Sequence, residues 1–136
     1  MSTKSEIRRW ISNANAKITA YNAKITEINE KIKRLDKVYD ELGDLKDALK
    51  TEKGKTEDIF EAKGTWEGET KDSFTIKGYS VIGDCEAYYS KLDAAQDAVN
   101  EAKADLQSEK TDNLGFIDTL NTKISHWWVQ WQNALN

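Results

Sequence analysis

Few residues of this 136-residue chain have the types and spacing that enzyme chemistry requires. His126 is the single histidine and Cys85 is the single cysteine, so neither has the companions that a metal site or an activated nucleophile needs. The carboxylates are dispersed in the way that is typical of solvated helix faces. We therefore expect no enzyme, no metal and no cofactor, and we expect Cys85 to be a small buried residue rather than a reactive thiol.

One segment matches part of a nucleotide-binding motif. Gly54-Lys55-Thr56 matches the end of a phosphate-binding loop, but that motif needs another glycine five positions earlier, where Leu49 stands, and a strand before it. The sequence therefore predicts no nucleotide binding here.

The amino-acid composition of the chain limits the kinds of molecule that it is expected to bind. A net charge of −4 argues against nucleic acid and against an anionic membrane surface. No apolar run approaches the roughly 20 residues of a membrane span, and the N-terminus lacks the apolar stretch of a signal peptide. We expect a cytoplasmic protein. With 32% charged residues and a mean hydropathy of −0.76, a pair of helices has only narrow apolar stripes, so a protein partner is expected.

The first half of the chain has the pattern of one long helix. Thr3 and Glu6 form a capping-box pair, which predicts a helix start. Apolar residues then recur at alternating spacings of four and three, the heptad seam of side-by-side helices. The seam contains Ile7, Ile11, Ala14, Ile18, Tyr21, Ile25, Ile28, Ile32, Leu35, Tyr39, Leu42 and, after a lapse at Lys46, Leu49. We expect the helix to continue through Gly43 and Gly54.

The second half repeats the pattern less cleanly. Its seam contains Ile82, Cys85, Tyr89, Leu92, Val99, Leu106, Ile117, Leu120, Ile124, Trp127 and Trp131, with Gln96, Lys103, Lys110 and Asn113 at the intervening core positions. Gly78 and Gly83 predict a bend or short break near the start of this helix. Nine acidic residues and three lysines give residues 84–118 a charge of −6, whereas residues 1–37 carry +5, which modestly favours antiparallel pairing.

Between the two halves lies Thr65-Trp66-Glu67-Gly68, with Phe74 eight residues after the tryptophan. A large aromatic can join two helix ends, and glycine permits the chain to reverse. This motif, at the hinge of two proline-free helical segments, resembles the Trp-X-Gly family of small helical-hairpin proteins exported by type VII secretion systems. The resemblance implies that Trp66 and Gly68 occupy the turn, and that the hairpin pairs with a second hairpin in a four-helix bundle.

The chain is about a third longer than usual members of that family, and its layout resembles the accessory proteins encoded beside LXG-type toxins in Gram-positive bacteria. This implies an adaptor or chaperone that binds the helical N-terminal export domain of such a toxin, or another small protein of the Trp-X-Gly type, and that is retained or co-secreted without a cleaved signal peptide. Two alternatives remain: a self-associating structural coiled coil, including a homodimer, and a secreted effector.

Folding the chain back near residue 67 predicts that Trp10 meets Trp127, Trp128 and Trp131 at the open end of the hairpin. These rings either close the end of the bundle or, for Trp128 in particular, form a partner-binding patch. Type VII substrates also carry a Tyr-X-X-X-Asp/Glu export signal. Tyr89 and Asp93 have that spacing, although Tyr89 lies on the seam, which favours packing over signalling.

The sequence therefore predicts an all-α fold with a long antiparallel, coiled-coil-like hairpin that completes a four-helix bundle with a partner or a second copy. We expect one domain over residues 1–136. Its first arm covers about 4–63, its turn about 64–69 and its second arm about 70–135.

Overall fold

Two α-helices form the computed structural model, which describes the backbone of residues 2–62 and 69–134 and the side chains over 2–59, at Asp72 and over 75–134. Helix α1 spans Lys4–Ala62 and helix α2 spans Glu69–Asn133, close to the predicted arms. Trp66, Gly68 and most of the predicted turn lie outside the described residues, as does the side chain of Phe74.

Helix α1 starts where the capping pair predicts. The backbone N–H of Glu6 donates to Thr3 Oγ1 at 3.2 Å, and the N–H of Ile7 donates to the Thr3 carbonyl at 3.1 Å, which satisfies two donors of the first turn. The helix continues through Gly43 and Gly54, as expected. A Cβ at residue 43 would lie 3.4 Å from Gln96 Nε2, at van der Waals contact, so the Gln96 amide lies close to the α1 backbone here.

Helix α2 is unbroken through Gly78 and Gly83, so the expected break is wrong. Each glycine costs a helix about 1 kcal/mol relative to alanine. Gly78 is itself buried, and the seam residues Ile82 and Cys85 follow directly, half-buried and buried. Packing of this face offsets the low helix propensity, since most helical stability in proteins comes from tertiary contacts.

The described helices form two compact units. The terminal unit comprises Met1–Arg34 and Lys103–Asn136, and the central unit comprises Leu35–Ala102. Within the terminal unit Trp10 meets Trp127 and Tyr21 meets Phe116, so numbers rise along α1 as they fall along α2. The central unit has the same antiparallel sense, because Lys46 pairs with Asp93 and Lys53 pairs with Glu86. The predicted all-α class, with two antiparallel helices packed on each other, is confirmed.

The core is the predicted heptad seam. All seam positions of α1 from Ile7 to Leu49 are buried or half-buried, and Lys46 is among them. The buried apolar side chains of the described residues are those of Ile7, Ile11, Ala14, Ile28, Cys85 and Ile117. Two amides, of Gln96 and Asn113, are buried at seam positions of α2. Asn113 is satisfied locally, because its Nδ2 donates to the Glu109 carbonyl at 2.7 Å.

Ile28 and Ile76 give a matched test of this seam, because Ile28 is 2% exposed and Ile76 is 71% exposed. Ile28→Ala should lower the free energy of unfolding by about 2–5 kcal/mol, since it leaves a cavity between the helices. Ile76→Ala should change it by no more than about 0.5 kcal/mol. Urea denaturation followed by circular dichroism measures both, and equal effects would contradict the assignment of the seam.

Candidate partner-binding surface

Four tryptophans of the terminal unit form two ring pairs. The rings of Trp10 and Trp127 lie 6.0 Å apart between centroids at an interplanar angle of 52°, within the range of attractive aromatic pairs. Of the predicted contacts of Trp10 with Trp127, Trp128 and Trp131, the structure shows the ring contact with Trp127. Both rings are half-buried and border a groove that also includes Ala14 and Leu120.

A second ring pair lies on α2. Trp128 and Trp131 make an edge-to-face contact with centroids 5.6 Å apart and an angle of 80°. Two cations from the first turns of α1 lie over Trp131, with Lys4 Nζ at 4.6 Å and Arg8 Cζ at 5.5 Å from the ring centroid. These cation–π contacts were not predicted from the sequence. The only indication of these contacts in the sequence is the spacing of Lys4 and Arg8, which lie one helical turn apart on the same face of α1.

The four tryptophan side chains of the terminal unit differ in solvent exposure. Trp128 is 43% exposed and its neighbour Val129 is 56% exposed, whereas Trp10, Trp127 and Trp131 are half-buried. The indole Nε1 of Trp131 is enclosed and has no hydrogen-bond acceptor among the described residues. We call Trp128, with Lys4 and Arg8 around the adjoining Trp131 ring, the terminal patch. It combines an aromatic anchor with positive charge, a combination frequent in protein interfaces.

The central unit contains a polar cluster across the seam. Lys46 Nζ donates to Asp93 Oδ1 at 2.8 Å and to Gln96 Oε1 at 2.9 Å, and Gln96 Nε2 donates to the Tyr39 carbonyl at 3.1 Å. The Lys46 side chain is only 16% exposed. The hydrogen bond that Lys46 donates to Asp93 raises the pKa of Lys46 above its usual value, against a smaller opposing effect of desolvation. In the sequence, Lys46 is only an interruption of the apolar pattern. In the structure, Lys46, Asp93 and Gln96 form a hydrogen-bonded polar layer between the helices.

Tyr89 and Asp93, the residues with export-signal spacing, both contact this lysine. Lys46 Nζ lies 4.8 Å from the centroid of the Tyr89 ring, in addition to its bond with Asp93. Tyr89 lies at a seam position and is 36% exposed. Both side chains therefore take part in holding α1 to α2, which is the packing role that the sequence favoured; a signalling role stays a prediction.

Alkaline titration tests the polar cluster. Because the folded state raises the pKa of Lys46, its contribution to stability is complete below the ordinary lysine pKa of about 10.4 and is lost as the pH rises through the higher folded value. The stability difference between wild type and Lys46→Met should therefore shrink above about pH 10.4. Urea unfolding at stepped pH measures it. In an Asp93→Asn background the alkaline change due to Lys46 should be smaller; an unchanged difference in that background would contradict the assigned cause.

A double-mutant cycle tests the ring pair. Trp10→Ala and Trp127→Ala should couple by about 0.5–1.5 kcal/mol in the free energy of unfolding, because the first substitution removes the contact that the second would lose. Trp10→Ala and Tyr88→Ala, which lie in different units, should add within about 0.5 kcal/mol. Additive effects for Trp10 and Trp127 would mean that their contact contributes nothing beyond burial.

Over the described residues, neither helix holds a stretch apolar and long enough to cross a membrane, and no group of three or more potential metal ligands occurs. His126 lies exposed beside Val129 in a groove of the terminal unit. No protein-family model, curated protein or solved structure matches this chain.

Proposed function

We propose that this protein is a non-enzymatic adaptor or chaperone of a type VII secretion system, which binds the helical N-terminal export domain of an LXG-type toxin side by side. One observation supports a helical partner above all. The described chain buries six apolar residues, whereas twelve large apolar side chains remain exposed. Exposed apolar side chains that recur along helices are typical of surfaces that dock other helices.

The seam itself is weaker than the length of the helices suggests. Its α2 side places Gln96 and Asn113 among the buried residues, and Lys103 and Lys110 at half-buried positions. Polar groups in a seam reduce the apolar area that two helices remove from water. Additional burial against another helical chain supplies what the intrachain seam lacks.

The assignment to secretion rests on the sequence resemblance. Trp66-X-Gly68 lies between two long helices without proline, which is the arrangement of the Trp-X-Gly family. In this proposal the protein acts in the cytoplasm, and export together with the toxin is the further step to test. Its partner is a helical protein, not a nucleic acid or a membrane.

The terminal patch is our candidate contact surface for that toxin domain. Trp128 is exposed, and the cations Lys4 and Arg8 lie against the adjoining Trp131 ring. An amphipathic helix with an apolar stripe and flanking carboxylates fits this combination of ring and charge. Binding through this patch should weaken with added salt, because part of its attraction is electrostatic.

Co-expression with the toxin's export domain tests the proposal. A stoichiometric complex should elute as one species in size-exclusion chromatography, and Trp128→Ala should weaken it by about 2 kcal/mol, or about thirtyfold in Kd. Ile76→Ala, at an exposed isoleucine of the central unit, should leave the affinity unchanged. Isothermal titration calorimetry measures both variants.

Separate elution of the two proteins at micromolar concentration would overturn the proposed function. Binding that survives Trp128→Ala but is lost with Ile76→Ala would retain the function and reject the terminal patch. A chain that forms only homo-oligomers, with no affinity for the toxin domain, would favour the alternative of a structural coiled coil.

A further inference from the structure

One groove of the terminal unit combines aromatic rings with two lysines, one from each helix. It has a volume of about 450 Å³, and the side chains that define it are those of Trp10, Ala14, Leu120, Trp127, Lys17 and Lys123. The apolar side chains are buried or half-buried and the lysines are exposed, so the rings form the floor of the groove and the lysines form its rim. We call it the lysine groove.

The two lysines of the groove have no counter-charge in the described chain. Lys24 lies one heptad after Lys17 on the same face of α1, and it pairs across the helices with Glu109 at 3.6 Å. In contrast, neither Lys17 nor Lys123 makes an ion pair with any described residue. No carboxylate is among the described residues that line the groove. Its two positive charges are therefore open to an anion from outside.

The terminal unit as a whole is also positive, although the chain is negative. Met1–Arg34 contains eight basic and three acidic residues, and Lys103–Asn136 contains three basic and four acidic residues, which gives this unit a net charge of +4. The whole chain has a net charge of −4. A positive region attracts anions at long range, and a groove with apolar walls concentrates that field. Charge therefore selects an anionic occupant.

The floor of the groove favours an occupant that also carries an apolar side chain. The Trp10 and Trp127 rings are tilted rather than stacked, and both are only half-buried. On the same flank, one heptad before Lys123, the ring of Phe116 is 50% exposed and contacts Tyr21 with centroids 5.4 Å apart. Aromatic rings thus lie on either side of the lysines. A large apolar side chain flanked by carboxylates is complementary to this arrangement.

A peptide segment fits this groove better than the other common anionic partners. A flat lipid surface would meet the exposed lysines but not the half-buried rings of the floor. A nucleic-acid strand is bound by a run of cations along its backbone, whereas this groove presents two. The volume of about 450 Å³ lies in the range of pockets that enclose small ligands, so it can receive a side chain of a peptide.

We propose that the lysine groove binds an acidic peptide segment, which places a large apolar side chain against the tryptophan rings and carboxylates at Lys17 and Lys123. These carboxylates supply the counter-charges that the described chain lacks there. The lysine groove shares no residue with the terminal patch. The inference therefore goes beyond the proposed function, and it holds whether or not a toxin domain binds at the terminal patch.

Titration of the full chain with a synthetic peptide tests the groove. The probe is an acetylated and amidated peptide with a central phenylalanine and two glutamates on each side, and nuclear magnetic resonance follows the indole N–H signals of the protein. The signals of Trp10 and Trp127 should shift most and should saturate, whereas Trp128 lies outside the groove and should shift less. A peptide with glutamine in place of each glutamate should bind about tenfold more weakly, because it lacks the carboxylates.

Matched lysine variants separate the groove from the general positive charge of the unit. Lys17→Met/Lys123→Met should weaken binding of the glutamate peptide about tenfold, because it removes both cations of the rim. The control Lys24→Met/Lys31→Met removes two charges from exposed lysines of the same unit that already pair with glutamates of the chain. It should bind within about twofold of wild type. Circular dichroism checks that each variant is helical.

Four outcomes would overturn the proposal. They are the absence of saturable shifts at the Trp10 and Trp127 indoles at millimolar peptide, equal affinity for the glutamine peptide, an equal loss of affinity in the control variant, and shifts confined to Trp128. A competition with vesicles of phosphatidylglycerol distinguishes the source of the anion. Vesicles that bind the protein and displace the glutamate peptide would assign the groove to a lipid surface and would also reject the peptide.

Discussion

The heptad seam between α1 and α2 is the constraint on which the rest of this structure depends. Its spacing of three and four keeps one stripe of each helix facing the other, so every other side chain is assigned to a flank or to solvent. The unbroken course of α2 through Gly78 and Gly83 follows from it, because the packing of Gly78, Ile82 and Cys85 outweighs the low helix propensity of the glycines.

Polar residues within the seam define the register in which the two helices pair. Lys46, at a core position, is retained by Asp93 and Gln96, and Gln96 in turn bonds the Tyr39 carbonyl. A shift of one heptad would separate Lys46 and the buried Gln96 amide from these partners, whereas a shift of purely apolar layers would cost far less. Gly43 lies beside the same cluster, since a Cβ there would be 3.4 Å from Gln96 Nε2, at van der Waals contact. The polar layer thus defines the register of the two helices, but it reduces the apolar area that these seam positions bury.

The sequence was sufficient for the helices, the seam and the meeting of Trp10 with Trp127, because all of these depend on periodicity and on folding back near the midpoint. It was insufficient for the Lys46 layer and for the cations over Trp131. Those depend on which long side chains reach across at a given level, and heptad spacing does not specify side-chain reach. The break expected near Gly78 was wrong, because local propensity was given more weight than the packing that follows it in the chain.

A narrow seam also explains why function should reside on the outer surfaces. Two helices that meet along one narrow seam leave most of their surface open, and twelve large apolar side chains of the described residues lie on that surface. Apolar side chains gain free energy when a partner removes them from water. The proposed association with another helical chain draws on this exposed apolar surface.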